Sequence, residues 1–330
     1  MKILILSLRS FGDCIVTLEF IKYLSANTNM QIDIFTKNEF IKFFQNNQYV
    51  KNIYSTTFLL SIKRNSLYSL LNLFKKIAML RKQKYDIVLN NIGDFREQII
   101  GFLINSKMNV SIRFSKKHPF SNLIRKGFDL LVDKHVDIPN DMLNVYDMQK
   151  YIAENILQKK IILKKKSRAD MPTKVAIHPI AGMKCRMWEY ENWIDLIKKI
   201  YKDDRIIVFC APNEKEHIKN TFSAVLDKID IVGENVDIFL QKLECVKLFI
   251  GLDSFSIHAA YHKNVPLKVM LNGANNANIW MPPNTKVIEA KHECKFHPCY
   301  NIPKCAKKSF EYTCIKSIKV QDVLEAIRNE

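Results

Sequence analysis

Glycine is scarce in this chain, 8 in 330 residues, and proline numbers 10. A composition so poor in both excludes collagen-like and low-complexity architectures, and 48% hydrophobic residues with 11% aromatics exclude a disordered chain. No run approaches the roughly 18 apolar residues that a membrane-spanning helix needs. The apolar opening MKILILSL is broken by Arg9 and Asp13 and lacks a small-residue cleavage site, so a cytoplasmic location is expected. The 8 cysteines are then expected to be reduced, and a cluster among them reads as metal-binding before it reads as disulfides. The G-x-G-x-x-G pattern of dinucleotide sites is missing, which removes support for a nicotinamide enzyme, and no repeat of solenoid period occurs.

Acidic residues are also under-represented: 33 against 51 basic ones, for a net charge of +18. Such a balance favours anionic partners, whether nucleic acid, phospholipid or a phosphorylated glycan. Lys63, Arg64, Lys75, Lys76, Arg81, Lys82 and Lys84 run without an intervening acid, as do Arg113, Lys116, Lys117, Arg125 and Lys126. Solvated helix faces would account for such runs equally well. No RNA-binding signature accompanies them, so nucleic acid is not expected as a partner.

Short apolar runs and amphipathic stretches alternate along the chain. Strands are expected over 2–8, 31–35, 51–54 and 86–89, with helices over 15–24, 39–44 and 67–81. The segment QKKIILKKKSRADMPTK, 158–174, is charged and interrupted by Pro172, and the alternation restarts after it. Strands then fall over 175–178, 205–209, 247–250 and 267–271, and helices over 191–201, 213–226 and from 254 onward. Length agrees with two domains, 1–160 and 172–330, the second carrying a Cys-rich segment at 292–314. Two α/β halves predict a bilobal enzyme whose site lies at the carboxyl ends of parallel strands.

Three loops at such strand ends carry chemistry. LRSFGDC brings Gly12, which permits close approach, and Asp13, which reads either as a cap of the following helix or as a general base. VAIHPIAGMKCRMWEYENW brings His178, Lys184 and Arg186 next to a helix start, a natural place for phosphate, or else forms a basic surface loop anchored by Trp188 and Trp193. LFIGLDSFSIHAAYHKNVP places Asp253 and Ser254 at a strand-to-helix turn and His258 in the helix that follows, either as cap and core histidine or as a diphosphate cradle.

These residues together resemble glycosyltransferase family 9, the bacterial heptosyltransferases of lipopolysaccharide core assembly. The resemblance rests on the Gly-Asp loop of KILILSLRSFGDC, the His-Pro loop leading to a basic residue and Trp in VAIHPIAGMKCRMW, and the Asp-Ser turn with its His in LFIGLDSFSIHAA, and it spans both halves in order. It implies a glycosyltransferase-B fold, two Rossmann-like domains facing across a cleft, with the acceptor on the first and the nucleotide sugar on the second. It further implies inverting, metal-independent transfer with no cofactor, heptose from ADP-heptose as the donated sugar, Asp13 as base, and Arg186, Asp253, Ser254 and His258 around the donor. Its partners are a nucleotide-sugar donor and an anionic glycan or glycolipid acceptor, with peripheral contact at the inner membrane surface. A protein-modifying heptosyltransferase of the same family, a nucleotide-sugar epimerase and a non-catalytic basic binding protein are the alternatives. The sequence departs from the family pattern at Phe255, where glycine is usual, and at Ile180 in His178-Pro179-Ile180-Ala181. A ring at 255 is expected to alter the approach to the diphosphate.

A fourth segment, HECKFHPCYNIPKCAKKSFEYTC, holds Cys294, Cys299, Cys305 and Cys314 with His292 and His297. Four thiolates suit a closed structural zinc or iron site, and free or paired thiols are the alternative.

Overall fold

In the computed structural model, which describes residues 1–26, 30–60, 66–118, 129–163, 172–291, 294–299 and 303–328, the chain divides into two units, Met1–Lys165 and Lys166–Glu330. The first unit runs β1 (Lys2–Ser7), α1 (Phe11–Ser25), β2 (Gln31–Lys37), α2 (Ile41–Gln45), β3 (Val50–Thr56), α3 (Leu67–Arg81), β4 (Ile87–Asn90), α4 (Phe95–Ile104), β5 (Met108–Phe114), β6 (Lys134–Ile138) and α5 (Val145–Leu157). All its strand pairs are parallel, in the order β3-β2-β1-β4-β5-β6. Ile3, Leu4, Ile5 and Leu6 of β1 are fully buried, because a central parallel strand is covered on both faces.

The second unit runs β7 (Lys174–His178), α6 (Tyr190–Ile200), β8 (Ile206–Phe209), α7 (Lys215–Thr221), β9 (Ile229–Val232), α8 (Val236–Lys242), β10 (Val246–Leu252), α9 (Phe255–His262), β11 (Leu267–Asn272), α10 (Ala277–Trp280), β12 (Lys286–Glu289), α11 (Thr313–Lys316) and α12 (Val320–Arg328). Its strands are again all parallel, in the order β12-β11-β10-β7-β8-β9. Counted from its own first strand this is the same winding as in the first unit, the doubly wound Rossmann order. Trp188 and Trp193, stacked edge-on at 5.1 Å, are buried in its core, and Trp188 Nε1 donates to Ile318 O at 2.9 Å.

That order has one functional consequence. In each unit the winding reverses between two adjacent strands, β1 and β4 in the first and β7 and β10 in the second, and ligands of open α/β sheets bind where it reverses. The loops that leave those four strands therefore matter most.

Several element ends differ from expectation. Helix α1 starts at Phe11 rather than at 15, because Ser10 is its N-cap. The helix expected over 213–226 is interrupted: α7 ends at Thr221, and a 3-10 segment follows in which Val225 has φ −140°. Elements α4, β5, β6 and α5 of the first unit, and β9, α8, α10, β12, α11 and α12 of the second, were not anticipated.

Of the first basic run, Lys63 and Arg64 lie outside the described residues, as do Arg125 and Lys126 of the second. Arg113 is held by Asp137 through two bonds of 2.6 and 2.9 Å.

Candidate active site

In the first unit, Asp13 lies in the opening turn of α1, yet it does not cap that helix. Ser10 does: its Oγ accepts from Asp13 N at 3.4 Å and donates to Asp13 Oδ2 at 2.7 Å. The carboxylate is thus steered by a hydroxyl and by Arg9, whose Nε lies 3.6 Å from Oδ2. Gly12 has a helical φ, and an added Cβ would meet only Ser10 Oγ, 4.0 Å away, so the helix start is left bare above it.

The neighbouring loop, after β4, supplies the other half of this cluster. Asp94 caps α4 by accepting from Arg96 N, and Arg96 grips it with Nε at 2.8 Å and Nη2 at 2.5 Å. Arg9 Nη1 reaches Asp94 Oδ2 at 3.8 Å, bridging the two loops. Beneath them Glu97, fully buried, accepts from Leu8 N at 2.8 Å, while its Oε2 has no partner among the described residues. Burial, with the charges of Asp94 and Asp13 adding to it, pushes the Glu97 carboxyl up to about 8, and burial is the largest cause.

Sequence reading did not single out Arg9, Asp94, Arg96 or Glu97 as functional. The one signal was positional: a carboxylate-rich helix start directly after a short apolar run.

In the second unit the loops after β7 and β10 meet. Arg186, at the end of a short 3-10 turn spanning Lys184–Arg186, donates from Nη1 to Asp253 O at 2.9 Å and stands 3.8 Å from Asp253 Oδ2. Lys184 is exposed. Asp253 is buried and accepts from Asn275 Nδ2 on the loop after β11. Ser254 occupies the N-cap position of α9 but makes no side-chain cap bond; its hydroxyl pairs with Ser256 Oγ at 2.9 Å. The N-terminus of α9 thus has no side-chain cap from Ser254, and its amides and dipole face the Asp253 turn. His258 is buried in that helix.

His178 ends β7 in an aromatic nest, edge-on to Phe239 at 6.3 Å and to Phe255 at 6.4 Å. Burial lowers its pKa to about 4, so the ring is neutral at physiological pH and adds no charge. Phe255 also packs on Phe239, at 5.4 Å. The ring that replaces glycine thus joins the nest around His178.

Among the described residues no three His, Cys, Asp or Glu side chains gather into a metal-holding group, and His292 lies outside those residues. Cys294, Cys305 and Cys314 stand near enough to Cys299 for their charges to act on it. Cys305 and Cys314 are buried, and burial together with the adjacent thiols pushes Cys299 up to about 11. The Cys-rich segment also braces the Asp253 turn: Cys299 N donates to Ala274 O at 2.7 Å, and His297 Nε2 lies 3.1 Å from Asn275 O.

Paired doubly wound units, each with charged loops where its winding reverses, define the glycosyltransferase-B fold. Residues 73–309 match the sequence profile of glycosyltransferase family 9 (heptosyltransferase), and the chain belongs to that family, as a glycosyltransferase using a nucleotide sugar. It is 21% identical over 299 residues to lipopolysaccharide heptosyltransferase 3 of Escherichia coli, covering 86% of each chain. In fold it is similar to E. coli heptosyltransferase WaaC with ADP-2-deoxy-2-fluoro heptose, with a TM-score of 0.76 at 15% identity over 99% of both chains. It is likewise similar to a family 9 glycosyl transferase from Veillonella parvula, with a TM-score of 0.74 at 16% identity over 99% of this chain and 96% of that one.

Proposed function

We propose that this chain transfers heptose from ADP-heptose to a hydroxyl of an anionic cell-envelope glycan of the lipopolysaccharide-core type, on the cytoplasmic side of the membrane. The observation that carries this reading is the Arg186–Asp253 contact beside the uncapped start of α9. It gathers a guanidinium, a helix N-terminus and the Ser254 hydroxyl at one sheet's switch point, in a chain of this family.

A sugar diphosphate suits that arrangement. Negative charge builds on the diphosphate as the anomeric bond breaks, and preorganised donors beside it stabilise that charge most effectively. Arg186, Lys184 and the α9 amides supply positive charge for the leaving group, which supports transfer without a metal. Ser254 and His258 border the diphosphate, and neutral His178 shapes the nest beneath it. Asp13 takes the proton from the acceptor hydroxyl as that oxygen attacks the anomeric carbon. The carbon–oxygen bond to the diphosphate then breaks, ADP departs, and a single displacement inverts the carbon. Bare Gly12 leaves room for the acceptor beside Asp13.

Calorimetry tests the donor half, with ADP-heptose set against UDP, GDP and other ADP sugars. Selective binding of ADP-heptose is expected, weakened about 10- to 100-fold in Arg186→Ala by the loss of a charge-assisted contact. Asp13→Ala should bind donor normally and lose transfer. Equal affinity for all nucleotide sugars, or an active Asp13→Ala, refutes the reading.

A further inference from the structure

Helix α3 is apolar on two faces, about 120° apart around its axis. Leu73, Ile77 and Leu80 are buried against the first unit, which accounts for one face. The second row, Leu67, Leu71, Phe74 and Ala78, follows i, i+4, i+7, i+11 spacing and points to solvent: Leu67 is 74% exposed, Leu71 61% and Phe74 57%. Tyr68, beside that row, is 70% exposed. A solvent-facing helix ordinarily turns charge outward, and an exposed apolar row marks a surface that something covers.

The rim says what covers it. Lys75, Arg81, Lys82 and Lys84 are all exposed on the same helix or just after it, and the sequence holds no acidic residue between Glu39 and Asp86. Leucine and phenylalanine in a row, bordered by lysine and arginine, is the pattern of a helix lying in a bilayer interface, its rings among acyl chains and its cations at headgroups. A second copy of the chain fits poorly, since pairing the two faces would bring two basic rims together with no acid to separate them. Among the described residues no helix is long and apolar enough to cross a membrane, so the contact is with a surface.

We infer that the outer face of α3, through Leu67, Leu71, Phe74, Lys75, Arg81 and Lys82, docks the enzyme on an anionic lipid bilayer. The inference deepens the reading of a membrane-borne glycan acceptor and rests on it for its biological sense. The docking itself is measured apart from transfer.

Vesicle co-sedimentation tests it, with the purified full chain and vesicles of phosphatidylcholine alone or mixed in equal parts with phosphatidylglycerol. Binding to the mixed vesicles only is expected, falling as salt rises. Leu71→Glu with Phe74→Glu should lower that partition at least about tenfold. Lys75→Glu with Lys82→Glu should lower it by at least about fivefold per residue. Both pairs lie on the exposed face, so circular dichroism and donor calorimetry should match the parent, which separates lost docking from a misfolded chain or a failed donor reading. Equal partition of parent and variants would overturn the inference. So would failure of the parent to bind mixed vesicles, or a parent dimer that the Leu71/Phe74 variant abolishes.

Discussion

Replacing Glu97 by Gln isolates one proton in the core of the first unit. Glu97 is wholly buried, its carboxyl raised from 4.5 to about 8, and it keeps Leu8 N–H satisfied. The native state therefore holds a proton that the unfolded chain has already released above about pH 5. Stability must fall as pH rises through that interval, by about 1.4 kcal/mol per pH unit, and level off above about pH 8. The total by pH 8 is about 4 kcal/mol, a large share of the stability of an ordinary domain. Glutamine preserves the acceptor for Leu8 and cannot ionise. In urea unfolding followed by circular dichroism across this range, the variant should match the parent near pH 5 within about 1 kcal/mol and exceed it by about 4 near pH 8. Parallel pH profiles for the two proteins would refute the argument, because they would mean that Glu97 is ionised in the native state despite its burial.

Other outcomes follow from single contacts. Ser10→Ala removes the α1 cap and the hydroxyl that steers Asp13, so thermal melting should show a loss of about 1 kcal/mol, and transfer should fall with it. Asn275→Ala strips the buried Asp253 carboxylate of a donor. Denaturant unfolding should register about 1–3 kcal/mol, and ADP affinity should drop although residue 275 is not placed against the nucleotide. Gly93→Ala forces a side chain at φ +82°, with its Cβ 2.7 Å from Ile112 Cγ1, and should cost about 1–3 kcal/mol in the same assay.

What the sequence made legible depended on range. Helix α3 is read at its observed ends, Leu67–Arg81, because Ser66 caps it and its inward residues keep helical spacing. The Gly-Asp, Arg186 and Asp253 loops were legible as candidates because each carries its own local pattern. Asp94 and Glu97 were invisible as partners of Arg9 and Leu8, since only the parallel pairing of β1 with β4 brings residues more than eighty positions apart together. Asn275 escaped for the same reason: it meets Asp253 only because β11 lies beside β10. The four cysteines are a different case. Their spacing suggested ligands, no metal-holding group forms among the described residues, and the attachments seen in the segment run through a main-chain amide and the His297 ring.

Those attachments carry an evolutionary corollary. The two acceptors that fasten the segment, the carbonyls of Ala274 and Asn275, belong to the main chain, so they survive a change of residue at either position. Selection can then act on the path of that turn while leaving most of its lettering free to drift. Relatives with quite different residues there could keep the same strut, and an insertion that lengthened the turn by one residue would undo it.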